Sequence, residues 1–165
     1  MINEREVFIL IYLDNAATTK AFEEVLDTYL KVNQSMYYNP NSPHKADLQA
    51  NQLLQQAKAQ INAMINSKTN YDVVFTSGAT ESNNLALKGI AYRKFDTAKE
   101  IITSVLEHPS VLEVVRYLEA HEGFKVKYVD VKKDGSINLE HFKELMSDKV
   151  GLVTCMYVNL SLIHI

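Results

Sequence analysis

From residue 73 to residue 158 the chain alternates two kinds of apolar pattern, and this alternation constrains its fold more than any other feature. Short runs rich in Val, Ile and Leu, at 73–76, 100–104, 126–130 and 150–158, have the length and composition of strands. Between them lie stretches with helical spacing, at 80–95, 109–121 and 139–147. In the second of these, Val111, Val114, Val115 and Leu118 make one apolar stripe, and Pro109 suits the first turn of a helix. Strands separated by helices of this length are joined by crossovers. The expected fold class is therefore α/β, a mostly parallel sheet with helices on both faces. Right-handed crossovers bring the strand C-termini, and the N-termini of the helices that follow, to one edge, where such sheets bind ligands.

Ahead of this region, residues 7–13 are expected to form a strand, "DNAATT" at 14–19 a turn and residues 21–32 a short helix. "NPNSP" at 39–43 is a loop, because its two prolines block regular structure. From Pro43 to about Met64 the pattern is helical, with Leu53, Ala57, Ile61 and Ile65 recurring on one face. "KKDGS" at 132–136 is a turn. No repeat or low-complexity tract interrupts the chain, and 165 residues suffice for one domain with a sizeable core.

Charge and cysteine content narrow the function. Seventeen Lys and Arg against 20 Asp and Glu give a net charge of −3 with no block of one sign, which argues against nucleic acid or an anionic membrane as partner. No apolar run reaches the roughly 18–20 residues of a membrane span. The apolar stretch from Val7 to Leu13 lacks the basic flank of a signal peptide, so a cytoplasmic location is expected. The single Cys155 forms no internal disulfide, and within "VGLVTCMYV" it is expected to lie buried and inert in a strand apolar on both faces. The five histidines, His44, His108, His121, His141 and His164, have no metal-ligand spacing, and no metal is expected.

Two stretches fall on the ligand edge. In "VVFTSGATESNNLALKG", residues 73–89, a strand ends, Gly78 permits a tight turn, and Ala79 and Thr80 open a helix whose N–H groups attract an anion. Neither the Walker nor the dinucleotide glycine spacing is present. The plainer alternative is that Ser77 or Thr80 only caps the helix. One βα unit later, "TSVLEHPSVLEV" places Glu107 and His108 at a strand end before Pro109. A histidine there can stack on a flat ring or move a proton, or it can be a solvated loop residue.

Taken together, "YLDNAATT" at 12–19, "NPNSPHKA" at 39–46, "FTSGATESNNLALKG" at 75–89, "IITSVLEHPSVL" at 101–112 and "GLVTCMYVN" at 151–159 resemble the cysteine desulfurases. These belong to the class V aminotransferase-like branch of fold-type I pyridoxal phosphate enzymes. The resemblance runs in order from about Ile11 to Asn159. It implies pyridoxal phosphate as cofactor, with its phosphate on the helix N-terminus at Ala79 and Thr80 and its ring stacked on His108, which would also assist proton transfer. The "DNAATT" and "NPNSPH" loops would help close the substrate cleft. The implied reaction takes sulfur from L-cysteine, leaving alanine and an enzyme persulfide, and passes it to a sulfur-acceptor protein for iron–sulfur cluster assembly or tRNA thiolation. A homodimer is implied for the full-length enzyme.

The resemblance also implies parts that these residues do not match. The family's Schiff-base lysine lies in a Ser-x-His-Lys string after later strands, whereas Ser42-Pro43-His44-Lys45 aligns with the N-terminal loop, so Lys45 is not expected to be that residue. The aspartate that pairs with the ring nitrogen, the persulfide cysteine and the C-terminal domain are also unmatched. Where the family continues with a second Asn, position 160 is Leu, and "LSLIHI" at 160–165 is expected to be a non-native tail. The expected organisation is therefore an extension and active-site loop over 1–20, an incomplete large domain over 21–159, and the tail over 160–165. Such a piece is expected to be inactive alone, and to fold poorly or aggregate because strand edges are exposed. Alternatives are a selenocysteine lyase or another class V aminotransferase-like enzyme, and a non-catalytic scaffold or pseudogene product.

Overall fold

A computed structural model describes residues 11–66, 71–93 and 96–159, and the chain divides between Val74 and Phe75 into two units. The first holds two helices, α1 (Glu23–Ser35) and α2 (Lys45–Met64). Glu23 and Glu24 occupy the first turn of α1, where the helix dipole favours negative charge. Phe22, Val25, Leu26, Tyr29 and Leu30 have the spacing of one helical face, yet all are exposed and α1 buries no residue. Loop and helix are joined in α2 by Asn51 Nδ2 donating to the Pro40 carbonyl at 3.0 Å. Further along, Lys58 pairs with Asp72 at 2.9 Å and Asn62 Nδ2 donates to the Tyr71 carbonyl at 2.9 Å. Leu53, Ala57 and Ile61 are only half-buried, and Ile65 is exposed. Asp47 is the one buried residue among those described in this unit.

The second unit contains α3 (Ala79–Arg93), β1 (Glu100–Ser104), α4 (Pro109–Glu122), β2 (Lys125–Val129), α5 (Leu139–Leu145) and β3 (Val150–Val153). The sheet has the order β2-β1-β3 and is parallel throughout, with Ile101 opposite both Val126 and Leu152. As the central strand, β1 buries Ile101, Ile102, Thr103 and Ser104. Helices α3 and α4 pack on each other, α3 against β3 and α4 against β2, while α5 packs against β2. Their stripes, Leu87 and Ala91 from α3 and Val111, Val114, Val115 and Leu118 from α4, close with Ile101, Val126 and Leu152 into one core. Each fully buried Val, Leu or Ile in such a core contributes about 1.5–3 kcal/mol.

Local chemistry sets the ends of these elements. Gly123 takes φ 69° past the end of α4, and the Phe124 N–H reaches back to the Leu118 carbonyl at 3.2 Å. The turn at 132–136 forms as expected, with Gly135 at φ 81° and the Lys132 N–H donating to the Ser136 carbonyl at 2.8 Å. Asn138 caps α5 by accepting from the N–H groups of Glu140 and His141.

Four expectations need correction. Residues 7–10 lie outside the described residues, but 11–13 are irregular and exposed rather than a strand. Residues 73–76 are likewise not a strand. An apolar run becomes a strand only where a neighbour supplies ladder bonds, and no described strand pairs with either segment. The last strand stops at Val153 rather than 158: Val153 pairs with Ile102, the Thr154 N–H makes the last bond to β1 at the Ile102 carbonyl, and β1 itself continues to Ser104. Cys155 therefore lies beyond the sheet and is exposed, not buried within a strand.

Candidate functional site

The N-termini of α3 and α4 lie side by side at the strand C-terminal edge of the second unit, and each carries one of the expected features. At the start of α3 the Ser82 N–H makes the first helical bond, to the Gly78 carbonyl at 3.1 Å. Glu81 turns back and accepts from both the Ser77 N–H (2.7 Å) and the Ser77 hydroxyl (2.6 Å). These two bonds, the hydroxyl's first, hold the Glu81 carboxyl below the usual carboxylate range. Thr76 Oγ1 lies 2.6 Å from Ser82 Oγ and donates to the Gly78 carbonyl at 3.1 Å. The turn is thus braced from within, while the N–H groups of Gly78, Ala79 and Thr80 take no partner among the described residues. All three residues are exposed, and the space a Cβ would fill at Gly78 is open. Gly78 does not adopt a positive φ, so its value here is access rather than turn geometry.

His108 caps α4. Its backbone carbonyl accepts from Val111 and Leu112, and its Nδ1 accepts from the Ser110 N–H at 3.1 Å. The Ser110 hydroxyl lies 2.8 Å from the same nitrogen, and Asn83 Nδ2, on α3, donates to that hydroxyl at 2.8 Å. His108 is exposed whereas Ser110 is buried. Thr80 and His108 line one cleft of about 390 Å³, together with Asn84, Lys88, Glu113 and Tyr117. The Lys88 ammonium sits over the Tyr117 ring, 4.7 Å from its centroid. Ala79, Thr80 and His108, the three residues singled out in the sequence, thus fall at two adjoining helix starts.

Glu107 precedes His108 and is buried, with 7% of its surface exposed. Burial pushes its carboxyl above the ordinary glutamate range, and the Met156 N–H that it accepts pulls the other way. Asn159 Nδ2 donates to the Leu106 carbonyl at 2.8 Å, so two bonds fasten the chain beyond β3 to the loop that presents His108. Leu106, Glu107 and His108 line a second hollow of about 310 Å³ with Met156, Val158 and Asn159. Cys155 stands near this loop; burial of its thiol, and next the Glu107 charge, raise its pKa above the ordinary thiol value. Lys45 opens α2 in the first unit. Among the described residues no cluster of His, Cys, Asp and Glu has the arrangement of a metal site, and no helix is long and apolar enough to cross a membrane.

Sequence reasoning did not assign Asn83, Ser110 or Asn159 to the site. Asn83 and Ser110 are 27 residues apart, and no local pattern pairs them. Ser110 did carry a faint signal, as a small hydroxyl residue at the second position of a helix.

The aminotransferase class-V family model matches residues 11–162. A NifS/IcsS protein homolog of Lactobacillus delbrueckii subsp. bulgaricus is 41% identical over 150 residues, covering 91% of this chain and 38% of the relative. Cysteine desulfurase IscS of Ehrlichia chaffeensis is 40% identical over 157 residues, covering 94% and 38%. Among solved structures, a NifS-like protein superposes with a TM-score of 0.85 at 36% identity, covering 90% of this chain and 40% of that one. The chain spans about 38% of the length of these two curated relatives.

Proposed function

The chain belongs to the aminotransferase class-V family, and from that premise we propose that it is the cofactor-receiving portion of a cysteine desulfurase. Members of this family use pyridoxal phosphate. The observation that carries the reading is the pairing of two helix starts. Ala79 and Thr80 offer unpartnered N–H groups to a phosphate, and Thr80 shares its cleft with the His108 ring. The donor set fits the cofactor: exposed N–H groups at a positive helix end, a hydroxyl at Thr80, and an aromatic imidazole for the flat ring. When bound, the cofactor supplies an electron-withdrawing ring that stabilises negative charge beside an amino acid's α-carbon.

The rest falls to the chain's own side chains. Thr80 and the α3 N–H groups would hold the phosphate and fix the cofactor's register. Glu81 has its carboxylate occupied by the N–H and hydroxyl of Ser77, the residue just before the Gly78–Thr80 donors. His108 would face the ring, with Nδ1 accepting internally and Nε2 left to hold or deliver a proton. L-cysteine is the proposed substrate, in keeping with relatives bearing the name cysteine desulfurase and with a solved structure of SspA in complex with cysteine, 33% identical at a TM-score of 0.81. A sulfur-acceptor protein, a two-fold dimer and a cytoplasmic location belong to the same proposal for the whole enzyme. Residues 1–165 by themselves should release sulfide from cysteine no faster than free pyridoxal phosphate does.

Binding gives the test. Equilibrium dialysis of pyridoxal phosphate should find one saturable site, weakened by about 2- to 10-fold in Thr80→Ala, as expected for the loss of a hydrogen bond of ordinary net strength. Borohydride reduction followed by peptide mapping should label no single lysine stoichiometrically. Stoichiometric labelling of Lys45, or saturable binding indifferent to Thr80→Ala and His108→Ala together, would overturn the assignment.

A further inference from the structure

The bonds around His108 run in one direction. A backbone N–H can only donate, so the Ser110 N–H at 3.1 Å makes His108 Nδ1 an acceptor. The Ser110 hydroxyl, 2.8 Å away, then contributes its hydrogen to the same nitrogen. That leaves its lone pairs to the Asn83 amide, which donates from 2.8 Å. Asn83 belongs to α3 and Ser110 to α4, so the chain of donors ties the phosphate-side helix to the ring-side histidine. Ser110 is buried and Asn83 half-buried, which shields both bonds from competing water.

We propose that Asn83 and Ser110 are positioning residues that hold His108 as the tautomer with its hydrogen on Nε2 and fix the ring's orientation at the head of α4. The proposal rests on the reading of His108 as the residue facing the cofactor ring, and it assigns that reading its supporting network. A free imidazole exchanges its hydrogen between the two nitrogens; this one is held with Nδ1 committed to α4 and Nε2 available. A shift between α3 and α4 would break the Asn83–Ser110 bond and loosen the ring. The two halves of the candidate site are therefore registered to each other before any ligand arrives, which lowers the ordering cost of binding.

The test is imidazole nitrogen NMR on the 15N-histidine-labelled chain without cofactor, with His108→Asn assigning the signal. In the unsubstituted chain His108 should show a protonated Nε2 and a bare Nδ1. Ser110→Ala should move both signals toward the averaged positions of a freely exchanging ring, and Ser110→Thr should restore them. Asn83→Ala should move them the same way but less. His121 and His141 should stay unmoved, which separates a local effect from unfolding. A His108 already averaged in the unsubstituted chain, or unmoved in both Ser110→Ala and Asn83→Ala, overturns the proposal. An averaged ring in the unsubstituted chain overturns the proposal even if a variant does not fold. Pyridoxal phosphate is then added to the same samples. Signals that ignore the cofactor while the tautomer stays locked count against the cofactor reading alone, and signals that respond to it without a lock count against the positioning chain alone.

Discussion

The two units of this chain are built from equally apolar segments, but only one of them buries what it offers. In the second unit, β1 lies between two parallel partners under two helices, and Ile101, Ile102, Val115 and Leu118 are wholly buried. In the first, α1 presents Phe22, Val25, Leu26, Tyr29 and Leu30 at the spacing of a core face, and every one is exposed. Amphipathic pattern is thus a capacity, and a sheet or a second helix stripe is what realises it. The candidate site sits at the edge of the unit that has such a core, where α3 and α4 are held by shared packing.

Core substitution is the strongest way to break this comparison. Leu118→Ala should destabilise the second unit by about 2–5 kcal/mol, whereas Leu30→Ala on the exposed face of α1 should stay within about 0.5 kcal/mol. Denaturant melts of both variants check it, and equal losses would mean that α1 is packed after all. Backbone strain comes next. Gly123→Ala places a side chain at φ 69°, and although nothing lies within 4 Å of the new Cβ, the left-handed backbone should cost about 1–2 kcal/mol. A melting curve that does not move would show that α4 ends differently.

A pH effect sharpens the contrast within the second unit. Because Glu107 has a raised pKa when folded, the folded chain holds this proton longer than the unfolded chain. Its contribution is complete below the ordinary glutamate pKa and is lost as pH rises through the elevated folded value. Glu107→Gln keeps an acceptor for the Met156 N–H and removes the charge, so its stability relative to the parent should improve from acid to neutral pH. Parallel pH profiles for the two proteins would contradict this. The smallest effect is chemical. Cys155 is exposed, yet burial of its thiol and the Glu107 charge disfavour the thiolate, so iodoacetamide should alkylate it more slowly at neutral pH than it does a free cysteine. Glu107→Gln should narrow that gap.

The legible part of the fold was the part with local causes. Helix α4 was readable from Pro109 and its stripe, and the turn at 132–136 from its Asp-Gly pair. Strand β1 was readable from its Ile101-Ile102 pair just ahead of the α4 helix start. The runs at 11–13 and 73–76 look equally apolar in sequence but lack a ladder partner, which a sequence pattern cannot supply. Cys155 was misplaced for the same reason, since its strand makes its last bond to β1 at Thr154. For the candidate site, Ala79, Thr80 and His108 were visible as helix starts after apolar runs. Asn83 and Ser110 were not, because their bond depends on how two helices pack rather than on either helix alone.

Backbone amide NMR during a pyridoxal phosphate titration tests the central claim most directly. The account predicts that the amides of Gly78, Ala79 and Thr80 shift together with those around His108, while α1 and α2 stay in place, and that pyridoxal, which lacks the phosphate, does not reproduce the shifts at Gly78–Thr80. Saturation with pyridoxal phosphate that leaves Ala79 and Thr80 unmoved would contradict it.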